Sequence, residues 1–310
     1  MTTSIQPPHK PHPDHDRGLE FDLSTLLSRR RSLGVFLGTG AAAALAACTP
    51  GGSTGPAGTA AAPSTATGSA SGAGSASNAG SSAAATPSAS ASPTLTRAIA
   101  ECGVEIPAET AGPFPGDGSN GPNALSASGV VRQDITASFG TSTSTAEGVP
   151  LTVTLTLLDN ANGCTPLAGA AVYAWHCDRE GRYSMYDSGL KNENYLRGVQ
   201  EADANGQVTF KTIYPGAYSG RWPHIHFEVF ESMSNATTAG QVLAVSQIAL
   251  TDTACREVYA SVGYEASARN FPRTTLKSDN VFGDDGGIYQ LAAMAGSVSA
   301  GYTAALNVTV

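Results

Sequence analysis

The stretch LTVTLTLL, from Leu151 to Leu158, alternates apolar residues with threonine. Side chains of a strand point alternately to its two faces, so a period-two pattern rich in β-branched residues predicts a half-buried strand. Five further segments show similar patterns, at 168–177, 207–213, 224–230, 241–250 and 304–310. Turn-forming sequences such as DNANG and DANG separate them. Short strands with frequent turns predict a mainly β protein, specifically a sandwich of two sheets with few short helices.

One helix is predicted in the same region, from Thr253 to Val262, with a Thr or Asp cap at its start. Residues 96–310, which contain all these segments, are numerous enough for one domain with a sizeable core. The formal charge of −8 and the lack of a basic run in this part argue against a nucleic-acid partner.

The first third of the chain has a different character. Residues 28–34 read SRRRSLG and precede an apolar stretch that ends in small residues, as in a twin-arginine export signal. The apolar stretch Val35–Ala47 is too short to cross about 30 Å of hydrocarbon. It ends at LAAC, 45–48, which resembles a bacterial lipobox. We therefore expect residues 1–48 to be an export signal and Cys48 to carry a lipid that anchors the protein at the outer face of the cytoplasmic membrane. The alternative is a secreted protein without the anchor.

Residues 49–95 consist almost entirely of Ala, Ser, Gly, Thr and Pro. Such a segment cannot bury enough apolar surface to offset the entropy of ordering its backbone. We expect it to be a disordered tether between the anchor and the domain. His9, His12 and His15 lie ahead of the predicted cleavage point, so we do not interpret them as a metal site.

Five cysteines are present. If Cys48 carries the lipid, an even number remains in an oxidising compartment, which predicts two disulfides. Three pairings are open, and the residues concerned are Cys102, Cys164, Cys177 and Cys255. A zinc site with cysteine ligands is the rival interpretation, but the chain has no C-x-x-C pair to favour it.

Metal chemistry is indicated at the strand HIHFEVF. His224 and His226 are two residues apart, so both side chains leave the same face with Cα atoms about 6–7 Å apart. The pattern alone is weak, because two hydrogen-bonded histidines would give it as well. Tyr218 in the preceding turn and Tyr183 after an earlier strand could add oxygen ligands, which suit ferric iron better than zinc. The alternative for both tyrosines is packing at a sheet edge. His176 is interpreted as structural.

Several motifs together resemble the intradiol ring-cleaving dioxygenases of the catechol and protocatechuate type. They are ETAGPFPGDG at 109–118, GRYS at 181–184, LRGVQEADANGQVTFKTIYPGAYSGRWPHIHF at 196–227 and SQIAL at 246–250. The resemblance extends over about 101–310. It implies a β-sandwich that holds one non-haem Fe(III) by two tyrosines and two histidines.

Carried over residue by residue, the resemblance implies that the iron ligands are Tyr183, Tyr218, His224 and His226. Tyr218 would leave the iron when a catechol binds and would accept one of its protons. Arg221 would stabilise charge that develops on the substrate ring, and Gln247 would help to orient intermediates. The implied reaction cleaves an aromatic diol with O2 to a muconate-type diacid.

Two other functions are weighed against this one. The sandwich could serve as a non-catalytic binding module of a surface lipoprotein, although such a module would not need two tyrosines, two histidines and Arg221 together. A zinc hydrolase built on His224 and His226 would need a carboxylate near them, which the sequence does not provide. The residues leave open which diol is cleaved and how many chains assemble.

Overall fold

The computed structural model describes residues 103–238 and 240–310. Nine strands form within them, and each of the six predicted segments lies within three residues of an observed strand at both ends. The strands are β1 (Pro150–Asp159), β2 (Thr165–Pro166), β3 (Ala171–Trp175), β4 (Arg197–Glu201), β5 (Gln207–Ile213), β6 (His224–Phe230), β7 (Val242–Ala249), β8 (Ala293–Ser297) and β9 (Gly301–Thr309). The segment 168–177 forms a shorter strand than predicted, because residues 176–177 leave it to begin a loop.

The strands form two sheets, as the sequence predicts. In the first sheet β1 is central: it pairs in parallel with β9 and in antiparallel fashion with β2 and β5, while β8 lies outside β9. The second sheet has the order β4-β3-β6-β7 and is antiparallel throughout. The protein is therefore a mainly β, two-sheet sandwich.

The main core lies between the sheets. The alternation in LTVTLTLL sends its odd-numbered positions inward, where Leu151, Val153, Leu155 and Leu157 are at most 3% exposed. They pack with inward residues of the second sheet, including Phe227. Burial of each such side chain contributes roughly 1.5–3 kcal/mol, so this strand anchors the sandwich.

The second sheet is buried on both faces, and this arrangement positions the candidate site. All seven residues of β6 are buried. Its odd-numbered residues enter the main core, whereas Phe230 joins a second cluster with Trp175 and Tyr183 on the outer face. Loops cover that outer face, so side chains of His224 and His226 are enclosed although they point away from the main core.

Three short helices follow β6 and β7: α1 (Met233–Thr237), α2 (Asp252–Tyr259) and α3 (Glu265–Asn270). The predicted helix 253–262 corresponds to α2, which begins at Asp252 and ends before the Ser261–Gly263 turn. The prediction of few short helices is confirmed, but the sequence marks only α2, because α1 and α3 are too short to show a helical period. No helix within 103–238 and 240–310 is long and apolar enough to cross a membrane.

The cysteines depart from the prediction of two disulfides. Cys177 and Cys255 are free and buried. Cys177 donates to the carbonyl of Gly216 at 3.4 Å, and Cys255 lies 3.1 Å from the hydroxyl of Tyr214, so each packs as a small core residue. Cys164 is disulfide-bonded, and its partner lies outside the described residues. The export signal, the tether, Cys48 and Cys102 also lie outside them.

Candidate metal centre

Four side chains converge on the outer face of the second sheet. The Nε2 atoms of His224 and His226 are 3.1 Å apart. The Tyr218 hydroxyl lies 3.1 Å from Nε2 of His224 and 3.4 Å from the Tyr183 hydroxyl. The strand β6 supplies the histidines, the loop before it supplies Tyr218, and the loop after β3 supplies Tyr183. The structure thus brings together all four residues that the sequence nominates as ligands.

These distances fit one metal ion. Nitrogen and oxygen ligands of a transition metal lie about 2.0–2.2 Å from it. Two such ligands at about 90–105° around the ion would have donor atoms roughly 2.8–3.5 Å apart. The three contacts of 3.1, 3.1 and 3.4 Å fall in this interval. Two imidazoles and two phenols also form a donor set suited to iron.

Both histidines are prepared as neutral ligands. Nδ1 of His224 is 2.5 Å from the carbonyl oxygen of Trp222, and since only a protonated nitrogen can donate to a carbonyl, Nε2 carries the free lone pair. Burial lowers the pKa of His224 and of His226 well below the usual value, so both rings stay uncharged at neutral pH. Metal ligation requires that form.

The ring of His226 is fixed by packing. It stacks on Trp175 with ring centroids 4.9 Å apart and an interplanar angle of 5°. The two residues face each other across β3 and β6. Nδ1 of His226 has no hydrogen-bond partner among the described residues. Stacking rather than hydrogen bonding therefore sets the orientation of this imidazole.

The two tyrosines differ in exposure. Tyr183 is 1% exposed, and burial raises the pKa of its phenol well above 10. A buried tyrosinate at this position would need a cation beside it, which a metal ion would provide. Tyr218 is only partly buried. It is the member of the cluster that an arriving molecule can reach.

The loop that carries Tyr183 is held by a buried carboxylate. Asp178 accepts hydrogen bonds from the backbone N–H groups of Glu180 and Arg182 and from Arg182 Nε, at 2.9–3.0 Å. Gly181 has φ +86°, and a Cβ added there would lie 3.1 Å from Cβ of Tyr218. Glycine at this turn therefore lets the Tyr183 loop approach Tyr218 closely.

Arg221 and Gln247 lie beside the cluster and contact each other. Arg221 Nη2 donates to Gln247 Oε1 at 2.7 Å, and Gln247 is the register partner of His226. Arg221 Nε also donates to Asp279 Oδ2 at 3.0 Å. Asp279 is fully buried and accepts from the backbone N–H groups of Trp222, Val281 and Phe282 as well. The guanidinium is thus fixed next to the histidines.

The segment 109–114 forms one wall of the centre. The Thr110 carbonyl accepts from Gln247 Nε2 at 2.9 Å. Gly112 has φ +68°, and a Cβ added there would lie 3.2 Å from Cε1 of His226. The Phe114 ring lies 4.9 Å from the ring of Tyr183. This segment therefore shields Gln247, His226 and Tyr183 from water.

Two positions in this arrangement are absent from the sequence-based site. Asp279 lies 58 positions after Arg221 in the chain, in a turn whose sequence KSDN reads as an ordinary capping region. Trp175 lies in a strand and reads as a core residue. Neither carries a local signal, because the contact that matters comes from another element. His176 faces away from the cluster and bonds to the Thr212 hydroxyl at 2.7 Å.

The donor set differs from that of a zinc site. Across 103–238 and 240–310, no group of three His, Cys, Asp or Glu side chains is placed to hold a metal ion. The cluster has two histidines and completes its set with phenol oxygens.

The sandwich domain is similar in sequence to a known protein family. Residues 121–242 match the family model described as Dioxygenase, and this segment contains both histidines and both tyrosines of the cluster. No curated protein sequence matches the chain.

The solved structures that are similar to the chain include three dioxygenases. An intradiol ring-cleavage dioxygenase from Tetranychus urticae is 28% identical, with 58% of this chain and 86% of that chain covered and a TM-score of 0.49. The dioxygenase domain of a dioxygenase and carbohydrate-binding protein fusion from Streptomyces sp. SirexAA-E is 24% identical, with coverage of 58% and 87% and a TM-score of 0.38. Hydroxyquinol 1,2-dioxygenase from Pseudomonas putida DLL-E4 is 17% identical, with coverage of 68% of each chain and a TM-score of 0.40.

The family match and the motifs that carry the four converging side chains agree. Over residues 121–242, the sandwich domain is therefore similar to the Dioxygenase family.

Proposed function

We propose that this chain uses one non-haem Fe(III) to cleave a catechol-type diol with O2 between its two hydroxyl-bearing carbons. The observation that carries the proposal is the convergence of two phenol oxygens and two imidazole nitrogens, with successive contacts of 3.1–3.4 Å. In this proposal Tyr183, Tyr218, His224 and His226 are the iron ligands. The product is a muconate-type diacid that contains both atoms of O2, so no external reductant is consumed.

Bound ferric iron would supply a Lewis acid that holds both diol oxygens and draws electron density from the ring. The two tyrosines then have different tasks. Tyr218, which is only partly buried, leaves its position when the diol arrives and accepts a proton from it as a general base. Tyr183, which is 1% exposed, keeps its place and its charge.

Arg221 and Gln247 act on the substrate. Negative charge grows on the ring as the diol loses its protons, and a fixed guanidinium in a water-poor site stabilises such charge. The ion pair with Asp279 at 3.0 Å and the hydrogen bond to Gln247 at 2.7 Å hold Arg221 in place beforehand. Gln247 in turn is held by the Thr110 carbonyl at 2.9 Å, so it can orient the substrate without moving.

The proposal includes a location outside the cytoplasm. The SRRRSLG and LAAC sequences support export by the twin-arginine route and a lipid on Cys48. Two changes test this: replacement of Arg29, Arg30 and Arg31 by Lys should retain the protein in the cytoplasm, and Cys48→Ser should release exported protein from the membrane. Membrane-bound, exported protein from either variant would contradict the corresponding step.

The chemical step is tested by cleavage of catechol under ¹⁸O₂, followed by mass spectrometry of the product. We expect one ring-opened diacid that carries two labelled oxygens. Tyr218→Phe should lower kcat by about 10²-fold or more, since it removes a general base and a ligand. Tyr214→Phe is the matched control, because this buried hydroxyl contacts Cys255 instead of the cluster. Incorporation of oxygen from water, or equal activity of both variants, would overturn the proposal.

A further inference from the structure

The wall segment 109–114 carries a carboxylate at its first position. Glu109 lies along the edge of β7, where its backbone N–H donates to the Val245 carbonyl at 2.8 Å. The next residue, Thr110, contacts Gln247, which in turn contacts Arg221. Arg221 also acts electrostatically on Glu109. Glu109 therefore lies on the Arg221 side of the metal centre.

Glu109 is hydrogen-bonded to the side-chain amide of Gln290, whose oxygen has no partner among the described residues. Gln290 Nε2 donates to Glu109 Oε1 at 2.7 Å. Gln290 is 0% exposed, and its Oε1 has no hydrogen-bond partner among the described residues. An unpaired buried acceptor costs about 1–3 kcal/mol. The Glu109–Gln290 pair thus presents a carboxylate oxygen and an amide oxygen that can both accept hydrogen bonds. An ammonium group has three N–H donors with which to make them.

The charged groups that act on Glu109 carry an excess of negative charge. Arg221, which is paired with Asp279 at 3.0 Å, attracts ionised Glu109. Asp284 and Asp285 both act repulsively on ionised Glu109. Burial, opposed by the Gln290 hydrogen bond and reinforced by these two carboxylates, raises the pKa of Glu109 to about 7. A nearby cation would relieve this repulsion, whereas a ring carboxylate would add to it.

We propose that the Glu109–Gln290 pair is a subsite for an ammonium group carried on a side chain of the diol. The enzyme then prefers an aminoalkyl-substituted catechol to a catechol with a ring carboxylate. This inference rests on the proposed function, because the diol oxygens must bind at the four-residue cluster for the side chain to reach the pair. Recognition is non-covalent: the ammonium exchanges water for the two protein oxygens.

The test compares three diols on the iron-loaded protein: catechol, 4-(2-aminoethyl)catechol and 3,4-dihydroxybenzoate. In the unaltered protein we expect kcat/KM to be highest for the amine and lowest for the carboxylate. Glu109→Gln, which preserves shape, should lower the amine-to-catechol ratio about tenfold. Asp285→Asn should lower the same ratio by a smaller factor, since it changes the field without altering the pair. Glu201→Gln, at an exposed position at the end of β4, is the control and should leave the ratio unchanged.

The outcomes separate this inference from the proposed function. Cleavage of catechol with an amine-to-catechol ratio that is the same in Glu109→Gln, Asp285→Asn and the unaltered protein would overturn the subsite alone. A preference of the unaltered protein for the carboxylate would do the same. Failure to cleave any of the three diols would overturn both proposals. Anaerobic binding of the amine, followed by its absorption change, should weaken in Glu109→Gln if the pair contacts the ammonium.

Discussion

The buried Arg221–Asp279 pair should be essential to the stability of the site, and Asp279→Asn tests this. The two Asp279 oxygens accept from Arg221 Nε at 3.0 Å, Trp222 N at 2.6 Å, Val281 N at 2.8 Å and Phe282 N at 3.1 Å. Asparagine offers one oxygen and one NH2 group. In either orientation, the NH2 group of asparagine therefore faces two of the N–H groups that donate to Asp279, and these groups lose their acceptor.

The charge effect is larger than this geometric mismatch. The side chains of Arg221 and Asp279 are 8% and 0% exposed, so removal of the carboxylate leaves a guanidinium uncompensated in a water-poor site. Loss of one partner of a buried ion pair costs about 3–5 kcal/mol. We expect the free energy of unfolding of Asp279→Asn to fall by that amount and Arg221 to lose its fixed orientation.

Asp252→Asn provides a matched control. Asp252 also pairs with an arginine, Arg256, at 2.6 Å, but the two side chains are 50% and 65% exposed. An exposed pair of this kind contributes about 0–1 kcal/mol. Urea unfolding followed by circular dichroism, with equal m values in both variants, gives the comparison. A loss below about 1 kcal/mol in Asp279→Asn, similar to the control, would refute the view that burial makes this pair important.

Two further changes probe the surroundings of the histidines. Gly112→Ala should destabilise the protein and weaken metal binding, because the residue has φ +68° and its Cβ would lie 3.2 Å from His226. Gly140→Ala is the control, because Gly140 has φ +75° but open space around it, so this variant has the backbone strain without the contact to a ring. Equal metal affinities of the two variants would contradict the effect of the contact with His226. Burial lowers the pKa of His176 to about 4, so the unfolded chain binds a proton between pH 6.5 and 4 that the folded protein does not, and stability should fall as the pH falls through this window. The loss due to His176 is on the order of 3 kcal/mol. His176→Gln should therefore reduce the slope of pH-dependent urea unfolding of the metal-free protein, while the contribution of His224 and His226, whose pKa values are also lowered, remains; an unchanged slope would contradict the role of His176.

The strands were predictable because their cause is local. Alternation in residues 151–158 and 224–230 fixes which side chains face the core, and the structure keeps both strands. The short helices α1 and α3 were missed because five or six residues contain too little of a helical period. The expected disulfides at Cys177 and Cys255 were wrong because cysteine parity ignores where each side chain packs, and both are enclosed by the core.

The site shows the same division between local and distant causes. His224 and His226 were found from their spacing in one strand, and the tyrosines from motifs that resemble those of a family. Asp279, Trp175 and the Glu109–Gln290 pair act through contacts between distant parts of the chain. Glu109 and Gln290, for example, are 181 positions apart. No local pattern marks such pairs, so only the folded structure reveals them.

The central claim, that the four clustered side chains bind ferric iron, is tested most directly by one measurement: the visible absorption spectrum of the purified protein, with its metal content, before and after anaerobic addition of catechol. We predict one iron per chain and a visible tyrosinate-to-iron charge-transfer band that shifts when catechol binds. A colourless protein that contains one zinc per chain, with no spectral response to catechol, would contradict the claim.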